Sequence, residues 1–374
     1  MDSKERINCL LNHKEADRIG ILDAYWIETI DRWKREGLSE ALDISDYFNH
    51  DISFVWFEAR LGLKEELISK DKENNYIRNI DGVTFRIPKN GVPYIKDDVD
   101  LPGFPVEYTI KSKSDWIKYK KNFFPSEWRM AYKPEITPPY HGTKETFDDL
   151  NKYYLGIKAK NRFIFFAPRE PFEATRNLMG SENFFMQIAL DKSWIRELFE
   201  EHVDMIIGMY EIFLSKGFKF DGFWVWGDIC FNKGMIISPS DYKNLLMPVH
   251  KRLFNYFRDR KMHIVYHTDG YLKEVLPLLV EAGITGIQPL EVKANNSIFE
   301  IKKEYGDTLT IFGNIDSRKM SGSKEEIDEE IKKKVLYAKK GGGYIYHSDH
   351  SVPVDVSLEN YKFVMTCVKK YGCY

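Results

Sequence analysis

The sequence has little cysteine, no long apolar run and almost no net charge, and each shortage excludes a class of protein. Four cysteines, Cys9, Cys230, Cys367 and Cys373, are scattered through 374 residues without a CxxC pair. They build no disulfide framework, so a reducing cytoplasm is the expected location. No stretch reaches the roughly 18 consecutive apolar residues of a membrane helix, and the segment from Met1 to Arg18 lacks the apolar core of a secretion signal. Lys and Arg total 55 against 57 Asp and Glu, a formal charge of −2. Such a balance sets up no global field for nucleic acid or an anionic membrane, and neither partner is expected. The basic clusters Lys118–Lys121 and Lys332–Lys334 are short and read as solvated faces. A glycine-rich phosphate turn is also missing after the first apolar run, over Asp23–Thr29, which counts against a doubly wound open sheet.

What is present is a globular balance, 43% hydrophobic and 30% charged, in a chain long enough to bury a large core. Aromatic residues, at 15%, suit bulky core packing and equally a roomy pocket. One pattern recurs: a short apolar run ends in polar residues, and an amphipathic helical stretch follows. The runs are Ile19–Tyr25, Ile52–Glu58, Phe163–Ala167, Gly222–Trp226, His263–His267, Gly286–Leu290, Leu309–Gly313 and Tyr344–His347. Continuous apolar runs of this kind suit strands buried on both faces of a parallel sheet. Helical patterns cover Ile27–Glu36, Ser39–Phe48, Ser181–Phe213 as one or two helices, Ser238 or Ser240 toward Arg260, Leu272–Glu281, Ser297–Glu304, Ser323–Lys340 and Val356–Lys370. Eight strand-then-helix units predict a (β/α)8 TIM barrel.

The stretch from Leu61 to Arg162 breaks the rhythm. Tyr76–Pro88 reads as a hairpin turning at Asp81-Gly82, and Pro134–Pro139 is rich in proline. We read residues 61–162 as an insertion after the second strand of a single domain spanning residues 1–374. It is placed either to cover the barrel mouth or to meet a second copy in a homodimer.

Catalytic groups of such barrels sit where strands end. The polar residues there are Asp23, Tyr25, Glu58, Arg60, Arg169, Glu170, Asp228, His267, Asp269, Glu291, Asn314, Asp316, His347, Asp349 and His350. Turns alone favour Gly, Asn, Ser and Pro, so this many His, Asp and Glu exceed what turning requires. His267 and Asp269 point to one side if strand geometry persists. Strand eight adjoins strand one and strand five lies across the barrel, so His350 can meet them over the axis. A divalent metal, zinc first, suits His267 and His350 with a carboxylate from Asp269, Glu170 or Glu291. The same residues equally serve as acid–base or anchoring groups without metal. Asp228, beside Trp224 and Trp226, is a candidate general acid or base with a raised pKa, or a cap on the following loop. Cys230 reads as a buried structural thiol. His13, His50, His141, His202, His250 and His263 read as structural or surface residues. The expected roles are catalysis by Asp228, His267 and His350, and substrate contacts from Tyr25, Glu58, Arg169, Trp226, Asp316 and His347.

These segments resemble the uroporphyrinogen decarboxylase superfamily, which includes the cobalamin (corrinoid)-dependent methyltransferases. The resemblance rests on Gly227-Asp228, Ile237–Tyr242 with Pro248, His267–Gly270, Glu281–Gly283, Phe312–Asp316, Gly341–Tyr344, His350 and Pro353–Asn360, in that order and spacing. It implies a (β/α)8 barrel with a deep cleft. The decarboxylases of this group bind polycarboxylate tetrapyrroles through an arginine-rich N-terminal segment. The matching Ile19–Trp26 has no arginine, although His350 matches their late histidine. The methyltransferases hold zinc in a His-x-Cys…Cys pattern. His267 matches the histidine, while Asp269 and His350 stand in place of the two cysteines. The resemblance thus implies a harder zinc site, more weakly bound and more Lewis acidic, better suited to an oxygen centre than a thiol. It implies a methyltransferase acting with a corrinoid protein or a methylated small molecule. Decarboxylation, with Arg60 and Arg169 anchoring carboxylates, is the alternative, and a barrel that binds tetrapyrroles without catalysis is a third reading.

Overall fold

The apolar runs become eight parallel strands: β1 (Gly20–Ile21), β2 (Ile52–Phe57), β3 (Phe163–Pro168), β4 (Gly222–Trp226), β5 (His263–His267), β6 (Gly286–Gln288), β7 (Thr310–Phe312) and β8 (Tyr344–Tyr346). The computed structural model describes residues 1–89, 104–127, 129, 132–134, 142–144 and 147–374. His141 and residues 135–139 of the proline-rich stretch lie outside the described residues. Each strand pairs with its sequence neighbour from β2 through β8, and β8 pairs with β1. Asp51 joins the remaining β1–β2 seam. Its backbone N–H donates to the Ile21 carbonyl, and its carboxylate accepts the Ile21 N–H. The result is a (β/α)8 barrel. Its interior is packed by Phe163, Phe165, Trp224, Val265, Phe312 and Ile345.

Strands β1, β2, β6, β7 and β8 are shorter than their apolar runs, three of them for visible local reasons. Pro289 has no N–H to extend β6. Gly313, at φ +111°, ends β7, and a Cβ there would fall 2.0 Å from the Pro289 carbonyl oxygen. At β1 the Asp23 carboxylate accepts the Ser348 N–H at 3.1 Å, a side chain taking over where the ladder stops.

Helices follow the strands; Ser39–Phe48 and Leu272–Glu281 are corrected, and Ser181–Phe213 is two helices. Ser39–Phe48 is helical only over Ile44–Tyr47, because Asp43 caps it by accepting the N–H groups of Ser45 and Asp46. Ser181–Phe213 divides at Asp191, which caps the second helix at the Trp194 N–H. Leu272–Glu281 contracts to Leu276–Ala282, with Pro277 in its first turn. Ser238 rather than Ser240 is the cap before Pro239. Helices Ser3–Leu11, Phe147–Ala159 and Pro171–Met179 were not expected. The first plugs the barrel bottom, with Ile7, Leu10 and Leu11 in the interior.

Between β2 and β3 lies a four-stranded antiparallel sheet of Glu66–Lys70, Asn74–Arg78, Val83–Pro88 and Phe104–Tyr108. It contains the expected Asp81-Gly82 turn. Asp81 ties that turn to the end of β2 by accepting from the Arg60 guanidinium and, at 3.0 Å, the Leu61 N–H. Among the described residues, no helix is long and apolar enough to cross a membrane.

Candidate active site

Register places the first layer of the mouth. Trp226 lies beside His267, and His267 lies beside Gln288, across three adjacent strands. The chain then turns outward, carrying Asp228 past β4, Asp269 past β5, Glu291 past β6 and His350 past β8. A cavity of about 210 Å³ opens here, with Trp226, His267, Asp269, Gln288, His347 and His350 in its wall. It continues down the β1–β2 seam past Asp23, Phe54, Trp56 and Tyr153. The Tyr153 hydroxyl donates to the Phe54 carbonyl at 3.0 Å, on a strand that β1 is too short to flank.

The donors converge in two groups, Asp228/His267/Asp269 and Asp269/Glu291/His350, each with ligand atoms within 4.8 Å of one another. His267 Nε2 is 3.9 Å from Asp228 Oδ1, and His350 Nε2 is 3.4 Å from Asp269 Oδ2. Asp269 therefore stands between the two histidines. Its Oδ1 is buried with no hydrogen-bond partner among the described residues, a costly state for a carboxylate oxygen unless a ligand meets it. Burial raises the Asp228 carboxyl above its ordinary range, with His267 opposing and Asp269 adding. At Asp269 burial also works upward, but hydrogen bonding from His350 and the charges of His267 and Lys293 outweigh it, and the net shift is downward. Burial works to lower His350, yet the bond to Asp269 outweighs it and raises that imidazole. His350 also stacks on Trp26, with ring centroids 5.5 Å apart.

Gln288 is the residue that sequence reasoning missed. Its amide oxygen, an acceptor only, meets His267 Nδ1, so that nitrogen donates and Nε2 is the one turned toward Asp228. Its amide nitrogen donates to His347 Nε2 at 3.1 Å, and His347 Nδ1 donates to the Ser348 carbonyl at 2.5 Å. One amide thus sets both tautomers. A polar residue inside the apolar run Gly286–Leu290 was the available signal.

Other candidates are placed elsewhere. Glu170 is fully buried, with Oε1 on His250 Nε2 at 2.8 Å and Oε2 capping its helix at the Glu173 N–H. Both oxygens are committed away from the mouth, which removes it from the metal set and gives His250 its structural role. Tyr25 points outward, its hydroxyl shared between His50 and Tyr361, so it is not in the cavity wall. Asp316 caps Ser317–Ser321 and pairs with Arg318, also outside the wall. Asp349 latches two loops through the N–H groups of Val292 and Ser317. Asn314 is buried in backbone hydrogen bonds to Leu290 and Asn296. Glu58 does line the cavity, but both its oxygens are taken, by Arg60 at 2.6 Å and Arg169 at 2.7 Å. Arg169 also lies over the Trp226 ring at 4.5 Å. Cys230 is buried, and burial pushes its thiol up to about 12.

Residues 170–371 match the family model described as uroporphyrinogen decarboxylase (URO-D). Among curated relatives, the uroporphyrinogen decarboxylase of Vesicomyosocius okutanii is 29% identical over 88 residues, 24% of this chain and 26% of that protein. That of Pseudoalteromonas atlantica is 27% identical over 143 residues, 37% of this chain and 39% of the relative. These matches span well under half the length of the relatives. Among solved structures, a methyltransferase from Methanosarcina mazei superposes with a TM-score of 0.61 at 13% identity, over 99% of both chains, a likeness of fold. The family match covers more than half of the chain and contains every donor of the mouth: this protein belongs to the uroporphyrinogen decarboxylase (URO-D) family.

Proposed function

We propose that this chain is a metal-assisted methyltransferase of the URO-D superfamily, with a small methylated substrate or a corrinoid protein as partner. The observation that carries the reading is the pairing pattern of the mouth. Its imidazoles and carboxylates converge with a carboxylate oxygen left unsatisfied. The arginines around it are committed, Arg60 and Arg169 to Glu58 and Arg162, in the cavity wall, to Asp46. Anchoring a polycarboxylate needs cations aimed at the ligand; here they are aimed at a protein carboxylate. A cavity of about 210 Å³ also favours a small reacting end, being below the roughly 300–1,000 Å³ typical of drug-sized ligands.

The nitrogen and oxygen donors fit zinc, through His267 and Asp269 with Asp228 or through His350 and Asp269 with Glu291. A zinc ion there would supply Lewis acidity toward an oxygen centre. The chain's own residues do the rest. Gln288 orients His267, Trp26 fixes the plane of His350, and Trp56 and Trp226 screen the mouth from water. Asp228, with its raised carboxyl, holds or accepts a proton beside the reacting atoms. Residues 1–374 act as one catalytic unit on this reading, with the inserted segment near the mouth.

The test is methyl transfer from a methylated corrinoid by zinc-loaded protein. The expected result is zinc-dependent turnover that falls at least about 100-fold in His267→Ala, the low end of what a positioned catalytic group contributes. Full activity in metal-free protein would remove the mechanism. Decarboxylation keeps one observation in its favour, the curated relatives' name. Anaerobic incubation with uroporphyrinogen is its test, and release of carbon dioxide would replace the methyl-transfer reading.

A further inference from the structure

We propose that the mouth holds two divalent metal ions, bridged by Asp269. The inference rests on the mouth being a metal site and goes beyond it in stoichiometry.

Ligands bind zinc at about 2.0–2.2 Å, so donors around one ion lie within about 4.4 Å of each other. Each of the two trios comes close to that spacing, and Asp269 belongs to both. A single ion satisfies one trio and leaves the other's histidine and carboxylate outside. A carboxylate has two oxygens, and Asp269 divides them: Oδ2 faces His350 at 3.4 Å, and Oδ1 is buried without a partner. Bridging carboxylates of this kind suit two-metal sites, whose ions sit about 3.5–4 Å apart.

The backbone at the end of β5 supports the same arrangement on both sides. The Asp269 N–H donates to Asp228 Oδ1 at 2.8 Å, and the Gly270 N–H donates to Glu291 Oε2 at 2.7 Å. Two consecutive amides thus orient the two flanking carboxylates. Gly270 is required for the second, at φ +95°, since a Cβ would fall 2.7 Å from the Phe231 nitrogen.

The experiment counts metal by plasma emission in zinc-loaded, desalted protein, with circular dichroism confirming the fold of each variant. The expected result is two zinc ions per chain, one in His267→Ala, one in His350→Ala and fewer than one in Asp269→Asn. Manganese-loaded wild type should show an exchange-coupled spin-resonance spectrum. One ion per chain, lost completely in either histidine variant, with isolated-ion manganese spectra, would overturn the bridge while leaving single-metal methyl transfer intact. No retained metal at all would overturn both.

Discussion

The two ends of this barrel use the same residue types to opposite ends. At the bottom, Asp51 is fully buried and saturated: Ser3, Arg6, Arg18 and the Ile21 N–H all donate to it. Arg6 in turn grips Asp17 through two nitrogens at 2.7 Å each. At the mouth, Asp228, Asp269 and Glu291 gather two imidazoles and a single ammonium, and one carboxylate oxygen has no partner among the described residues. Saturation is what a structural network needs, because a buried charge without a partner is expensive. Incomplete pairing is tolerable only where something else completes it. The bottom therefore reads as stability and the mouth as chemistry, as the barrel architecture leads one to expect.

The largest effect should come from breaking the saturated end. Asp51→Ala leaves two arginines facing a low-dielectric site and opens the β1–β2 seam, so urea unfolding should show a loss of about 3–5 kcal/mol. A loss under 1 kcal/mol would mean the network is not the closure of the barrel. At the other end Gln288→Leu should cost less, about 1–3 kcal/mol, by taking the partner from the buried His347. It should weaken zinc binding by roughly 10–100-fold, the usual cost of removing a partner that orients a metal-binding histidine; unchanged affinity would remove Gln288 from the site.

The smallest effect is a pH dependence at the bottom. Arg6 holds the Asp17 carboxyl down to about 2, against 3.8 for the free group. A depressed carboxyl stabilises the fold above its unfolded pKa, and that contribution disappears as pH falls from about 4 toward 2. Asp17 is 43% exposed, so solvent screening keeps the contribution small. Asp17→Asn should flatten the stability profile across that window through a small loss at neutral pH that vanishes near pH 2; an unaltered acid limb would argue against the pair.

The barrel was legible because eight apolar runs, each followed by a helical pattern, admit few other arrangements. The donors His267, Asp269, Glu291, Asp228 and His350 were legible because they all follow strand ends. What was not legible depended on partners distant in sequence. Glu170 looks like a mouth carboxylate until His250, eighty positions on, takes it. Tyr25 falls where the β1 ladder has ended, so alternation no longer says which way it points. Gln288 gains meaning only from the register that sets it beside His267. Glu58 and Arg169 each looked available for substrate, and their mutual ion pair needed the β2–β3 pairing to be seen.

The most direct measurement is calorimetric titration of zinc into metal-free wild type, His267→Ala and Asp51→Ala under conditions where all three are folded. The expected result is saturable binding in wild type, retained in Asp51→Ala, with the site that His267 supplies weakened at least about 100-fold in His267→Ala. Equal and weak binding in wild type and His267→Ala would contradict the claim that the under-paired end of the barrel is built for metal.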